Sequence, residues 1–380
     1  MNACVVYDCL YPHTVGGAER WYRNLSERLA AEGHEVTYLT LRQWTRDAEP
    51  RVTGVAVRAV GPRFELYRRG RRRTLPPLVF GMGVLVHLLA RGRRYDVVHM
   101  ASFPYFSVLA AAAARRIQGF ELIVDWHEVW SKEYWHDYLG KAGGMVGWLV
   151  QRSCARVRQR AFCFSRLHAG RLRASGLRGP VTVLRGQYAE SPTPTGDEGR
   201  EPLIVFAGRH IPEKRVCTIV PALARARQQA PDLRAEIYGD GPDRHKLASL
   251  VREERLSDVV SVPGFVDASD VDAALRRALC MVLPSVREGY GRIVVEAAAR
   301  GTPSVVVRAP DNAATELVED GVNGVIASSA EPGDLGRAIL RVHDSAPELR
   351  ASTRAWFKRN ARDLSLTNSL DIVTRCYREG

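Results

Sequence analysis

Short apolar runs alternate with longer amphipathic ones along almost the whole chain, and this alternation constrains the fold more than any other feature. Stacked βαβ units produce it: a parallel strand covered on both faces reads as a continuous apolar run, and its crossover helix carries one apolar stripe. Residues 3–8 read as a buried strand, the Gly-bearing turn 12–17 leads into a helix over 18–31, and residues 35–41 follow Gly33 as the next strand. Further strands are predicted at 52–60, 96–100, 122–125 and 181–184. The pattern breaks at 188–202, which is rich in Pro, Gly and acidic residues and has no apolar period, as a linker would be. A second series follows, with strands at 202–207, 235–238, 259–262, 278–283 and 304–307, and the segment 349–377 reads as helical. A chain of 380 residues has room for two domains. The expected fold class is therefore α/β, with two Rossmann-like doubly wound domains, 1–187 and 203–360, facing across a cleft.

Composition narrows the partners. The formal net charge is +13, almost all of the positive charge being arginine. That favours phosphates, anionic lipid surfaces or nucleic acid without choosing among them. The seven cysteines include no C-x-x-C pair, so no zinc or redox motif is indicated, and buried free thiols in a reducing cytoplasm are the simplest reading. The first residues lack a basic and apolar leader pattern, and the most hydrophobic stretch, from Leu75 to Ala90, contains two prolines and two glycines and is shorter than a comfortable bilayer span.

The strongest chemical signal is at 287–301. A strand ending near Leu283 runs into a loop, and a helix starts near Gly291. Backbone N–H groups at such a glycine-bearing turn, with the helix dipole behind them, suit a phosphate. Glu288 lies in the loop and Glu296 a little over one turn into the helix, and a carboxylate there can accept two hydrogen bonds from a vicinal diol. An ordinary helix with a solvated Glu296 fits the spacing equally well. A second signal is Arg209 and Lys214, two cations after the strand at 202–207, placed to hold a diphosphate as it leaves. Taken alone, a pair of surface cations is the simpler reading. The third is the turn at 238–242, where Gly239 allows close backbone approach after a strand, although a plain strand-to-helix turn fits the same residues at least as well. Neither glycine cluster completes a dinucleotide fingerprint.

Together these motifs resemble the retaining glycosyltransferases of family 4, which have the GT-B fold. The E-x7-E element stands as Glu288-Gly289-Tyr290-Gly291 with Glu296-Ala297, the G-R-x-x-x-x-K element as Gly208-Arg209 with Lys214, the G-x-G-P turn as Gly239 to Pro242, and the N-terminal G-G-A-E turn as Gly16-Gly17-Ala18-Glu19. The resemblance implies that Arg209 and Lys214 contact the donor diphosphate, that Glu296 holds the ribose, and that Glu288 contacts the transferred sugar. It further implies that Gly16, Gly17 and the amides of Tyr290 and Gly291 approach the phosphates, and that Val262 to Phe265 flank the base. His127 falls where the family often has a histidine near the reaction centre. Asp125, Glu128 and His99 are weaker acceptor-side candidates, His99 ranking below His127. The donor is expected to be a UDP- or GDP-sugar, no metal is required, and the C-terminal helix, about 361–380, is expected to pack back on the N-terminal domain. Arg215, Tyr290, Arg185 and the pair Asp311-Asn312 depart from the pattern, the last putting sugar identity in doubt.

Residues 51–120 hold thirteen arginines against only Glu65 and Asp96. The run from Arg68 to Arg73 directly precedes the apolar stretch from Leu75 to Ala90. A basic cluster beside an apolar segment can dock on an anionic membrane, which implies a lipid-linked or anionic acceptor at the inner face of the membrane. A solvated loop plus a buried helix accounts for the same residues. Nucleic-acid binding through this run is the competing function, but no recognition motif accompanies it and it leaves the four polar residues of the second half unexplained, so no nucleic-acid partner is expected.

Overall fold

The structure, a computed structural model, describes residues 1–45, 50–68, 71–189 and 201–378; the side chains at 67, 68 and 71 are not described. Most of the expected linker and Arg69 of the basic run therefore lie outside the described residues. The chain divides into two compact units, the first formed by Met1–Gln187 and Leu366–Gly380, the second by Tyr188–Ser365.

In the first unit, β1 (Asn2–Val6) leads through α1 (Gly17–Ala31) to β2 (Glu35–Thr40) and β3 (Val55–Ala59). A two-residue hairpin follows, β4 (Tyr67–Arg68) and β5 (Arg71–Arg72), then α2 (Leu75–Arg91), β6 (Val97–Ala101), α3 (Tyr105–Gln118) and β7 (Glu121–Trp126). The unit continues with α4 (Lys132–Ala155), β8 (Arg160–Cys163), α5 (Arg166–Ala174) and β9 (Val181–Val183). The seven main strands order β3-β2-β1-β6-β7-β8-β9, all parallel. The central strands are buried on both faces, as their unbroken apolar sequence requires; β6 and β7 expose almost nothing. Strand β8 escaped the sequence reading because its four residues follow directly on an arginine-rich stretch.

The second unit repeats the plan. It begins with β10 (Leu203–Ala207), α6 (Ile219–Ala226), β11 (Arg234–Tyr238), α7 (Arg244–Glu253), β12 (Val260–Gly264), α8 (Ala268–Arg277) and β13 (Cys280–Leu283). After these come β14 (Arg287–Glu288), α9 (Arg292–Ala299), β15 (Ser304–Val307), β16 (Asp311–Asn312), β17 (Gly324–Ala327), α10 (Pro332–Asp344) and α11 (Ala346–Leu364). The main sheet orders β12-β11-β10-β13-β15-β17. In both units the order reverses beside the first strand, between β1 and β6 and between β10 and β13. Such switch points, at the carboxyl ends of the strands, are where open α/β sheets bind ligands.

The predicted single C-terminal helical segment is two helices. Extended backbone at Ser365 ends α11, and α12 (Leu366–Arg378) starts at once in the first unit. The crossing therefore begins at Leu366 rather than near 361. There Tyr377 is buried, its hydroxyl bonded to His99 Nδ1 at 2.9 Å, and Arg28 of α1 pairs with Asp371 at 2.7 Å.

Candidate active site

In the second unit the two strands of the switch point carry the two strongest sequence motifs. Strand β10 ends in the segment with Arg209 and Lys214, and β13 ends in the segment with Glu288. A backbone bond from Val286 N to Glu213 O, 3.0 Å, ties the two segments together. Lys214 Nζ and Glu288 Oε1 then form a direct ion pair, and Ser285 Oγ donates to the same carboxylate oxygen at 2.8 Å. Glu288 is buried, whereas Lys214 and Tyr290 are half-buried and Arg209 is exposed.

The sequence predicts a loop at Glu288; the residue sits instead in β14, paired in register with β16 so that Glu288 faces Asn312 and Arg287 faces Asp311. Asn312 fixes this arrangement. Its Nδ2 donates to Ser285 O at 3.0 Å and Val307 O at 2.7 Å, and its Oδ1 accepts from Ala314 N at 3.0 Å. A buried amide with both ends satisfied in this way holds three chain segments rigid. Ser285 and Asn312, which hold Glu288 and its strand in place, are not singled out as site residues by the sequence. Only the presence of an Asn in a Gly-Gly position hinted at the second.

Gly291 caps α9 with φ 95°, and a Cβ there would lie 2.6 Å from Ala314 Cβ. The position needs glycine on both counts. Among the described residues no side chain caps the helix, so its first N–H groups are open to another acceptor. Glu296 is half-exposed and paired with Arg292 Nε at 2.9 Å. At the end of β11, Gly239 has φ 120° and a Cβ would meet Gly208 O at 1.9 Å. The glycine turn thus packs directly on the Gly208-Arg209 backbone, secured by His210 N donating to Asp240 O at 2.8 Å. Val262 is half-buried in β12, and Phe265 just beyond it is 78% exposed.

In the first unit, Gly16 and Gly17 open α1 after the β1 loop, as expected. His127, just past β7, is half-buried; its ring stacks on Phe164 at 4.5 Å and meets Tyr22 edge-on at 5.9 Å. Burial holds its pKa below the ordinary imidazole range, against the pull of Asp125 and Glu128. It is therefore neutral at pH 7. Glu128 Oε2 accepts from Trp130 Nε1 at 2.6 Å.

Two acceptor-side expectations are corrected. His99 and Asp125 have no exposed side-chain surface: His99 Nε2 bonds Asp125 Oδ1 at 2.8 Å, and Trp21 Nε1 donates to Asp125 Oδ2 at 2.7 Å. They form an interior network with Tyr377, because polar residues inside a central strand must be satisfied within the core. Burial alone would raise the Asp125 pKa, but the His99 contact and the Trp21 bond carry it below the usual value. The basic run is also corrected in part: Arg72 is half-buried, paired with the fully buried Asp8 and lying over the Phe103 ring at 4.9 Å. It is a built-in ion pair rather than a surface charge.

Two family models match, each covering one unit's main stretch: "Glycosyltransferase Family 4" over residues 15–186 and "Glycosyl transferases group 1" over 189–363. Both halves of the chain belong to glycosyltransferase families. Among relatives, an alpha-D-kanosaminyltransferase of Streptomyces kanamyceticus is 30% identical over 183 residues, 47% of this chain and 46% of that one. This chain thus spans about half of that relative. A glycogen synthase of Mycobacterium tuberculosis is 26% identical over 96% of this chain and 92% of its own. Among solved structures, Anabaena HepE in complex with UDP matches with a TM-score of 0.75 at 16% identity, covering 100% of both chains. The fold expected of this glycosyltransferase, two parallel-sheet Rossmann-like domains, is the one observed.

Proposed function

We propose that this glycosyltransferase moves a sugar from a UDP- or GDP-linked donor to an acceptor hydroxyl, with retention of anomeric configuration and without a metal. The second unit binds the donor and the first the acceptor. In the reaction the anomeric carbon loses its bond to the β-phosphate oxygen and gains one to the acceptor oxygen on the same face. The acceptor proton passes to the departing phosphate, leaving a nucleoside diphosphate and a glycoside. Arg209 and Lys214 neutralise charge on the diphosphate, and the free N–H groups of α9 add to them. Glu288 orients the transferred sugar, Glu296 the ribose, and Phe265 offers a face to the base. His127, neutral, accepts or donates one hydrogen bond near the reacting centre. The reducing cytoplasm suits seven cysteines, none of them in a disulfide.

The observation that carries this reading is the Lys214–Glu288–Ser285 cluster beside an uncapped helix start, at the switch point of the second unit's sheet. The UDP in the HepE structure supports a nucleotide donor. Melting curves with UDP, GDP and their sugars test it, with Arg209→Ala and Glu296→Ala alongside. One nucleotide should stabilise the wild type, and both variants should lose most of that gain. If no nucleotide shifts the wild-type curve, the donor reading fails.

A further inference from the structure

Helix α2 has an outer face with no polar residue on it. Leu75, Leu78, Met82, Val86 and Leu89 are all exposed, from 43% at Leu89 to 61% at Val86. At 100° per residue they fall within an arc of about 80° and run roughly 21 Å along the helix. Phe80, Val84 and Leu88 on the opposite face are fully buried, so the stripe is not a mispacked core side. The helix lies close on α3: a Cβ at Gly81 would meet Phe106 Cβ at 2.7 Å. That contact brings Phe106, itself 37% exposed, beside the stripe. Monomeric proteins seldom leave so long an apolar strip to water.

The charges at the two ends of α2 have one sign. Arg73 is exposed just before α2, and Arg91, Arg93 and Arg94 are exposed at its far end. Between Arg73 and Arg94 the sequence has no acidic residue. Together with its short 3-10 extension, Leu75–Arg94 is long and apolar enough to cross a bilayer, longer than the sequence reading allowed. Crossing, however, would pull Phe80, Val84 and Leu88 out of the first unit's core. A helix that keeps one face in the core, offers an unbroken apolar stripe and is cationic at both ends is matched by a flat surface, anionic outside and apolar beneath.

We propose that α2 docks this glycosyltransferase on an anionic phospholipid bilayer, lying along the surface with Leu75, Leu78, Met82, Val86 and Leu89 in the interface and the flanking arginines on the headgroups. The proposal does not depend on the identity of the donor, and its test does not read activity.

The full chain is floated with phosphatidylcholine vesicles, with and without about one-third phosphatidylglycerol, at low and high salt. The protein should partition onto the anionic vesicles at least tenfold better than onto the neutral ones, and salt should reduce binding. Met82→Glu with Val86→Glu, both at exposed positions, should lose at least tenfold while keeping the wild-type melting temperature. Arg91→Ala with Arg93→Ala and Arg94→Ala should lose most of the preference for anionic vesicles. Absence of binding at low salt overturns the proposal, as does equal binding by wild type and the Met82/Val86 variant. A concentration-dependent dimer that the Met82/Val86 variant abolishes, without vesicle binding, would instead assign the stripe to a second copy of the chain.

Discussion

Lys214 and Glu288, 74 positions apart in sequence, are joined as a direct ion pair with Ser285 as the carboxylate's second partner. The pair links the two strand ends of the switch point, so both folding and chemistry act on it. Lys214→Met leaves a buried carboxylate with one neutral donor and should cost about 2 kcal/mol of stability. It should also lower transfer by at least 100-fold, through the lost charge on the leaving diphosphate. Adding Glu288→Leu should restore much of the melting temperature and none of the transfer. A Lys214→Met protein that melts like the wild type would show that the pair contributes little.

Asn312 can be separated from the donor chemistry because its three bonds are all to backbone. Asn312→Ala should destabilise by roughly 2–3 kcal/mol in urea unfolding, since two carbonyls and one amide lose their partner inside the second unit. Asn312→Asp should be as harmful, because a carboxylate cannot donate to the carbonyls of Ser285 and Val307. Should Asn312→Asp unfold at the wild-type urea concentration, the assignment of the amide nitrogen is wrong.

Gly17 and Gly291 distinguish structural need from ligand need. Gly291→Ala meets Ala314 and an unfavourable φ, so it should cost about 1–3 kcal/mol and impair nucleotide binding together. Among the described residues nothing lies within 4 Å of a Cβ at Gly17. Gly17→Ala should therefore leave the melting curve within about 0.5 kcal/mol. Any fall in transfer then reports a ligand approaching that backbone. Transfer at the wild-type rate would remove Gly17 from the proposed site.

His87, half-buried on α2 with its Nε2 2.8 Å from the Tyr95 hydroxyl, has its pKa lowered to about 4, first by burial and then by nearby arginines. A depressed histidine pKa means that the unfolded chain binds the proton first. Its contribution is complete above the unfolded value near 6.5 and declines as pH falls toward 4. With solvent screening at a half-buried site, the loss should be about 1–2 kcal/mol. Unfolding curves from pH 7 to 4 should show this slope, and His87→Gln should flatten it. An unchanged slope in His87→Gln places the acid sensitivity elsewhere.

The alternation of runs made both sheets legible, because strands covered on both faces have little choice but to be apolar. The motif glycines were legible too, since Gly239 and Gly291 sit where a side chain would collide. What the sequence could not show is pairing at a distance. Nothing near residues 287 and 311 announces that they form two-residue strands, and such short pairs carry no period. The places of His99 and Asp125 at the ends of strands make them acceptor-side candidates in the sequence, but the partner that satisfies His99 lies 278 positions away in α12. The prolines and glycines of the stretch from Leu75 to Ala90 weigh against a bilayer-spanning helix in the sequence, yet Pro76 and Pro77 sit in the first turn of α2, where no N–H is missed.

The return of α12 to the first unit has a topological consequence. The second unit is one continuous segment whose ends are held together, Tyr188 N donating to Leu364 O at 3.0 Å beside a bridge to Ser365. It is therefore inserted into the first unit rather than appended to it. A gene fragment for residues 188–365 encodes a closed module. One that stops at 187 omits the tyrosine that completes the interior network of β6 and β7, and would yield a sheet with a vacant polar socket.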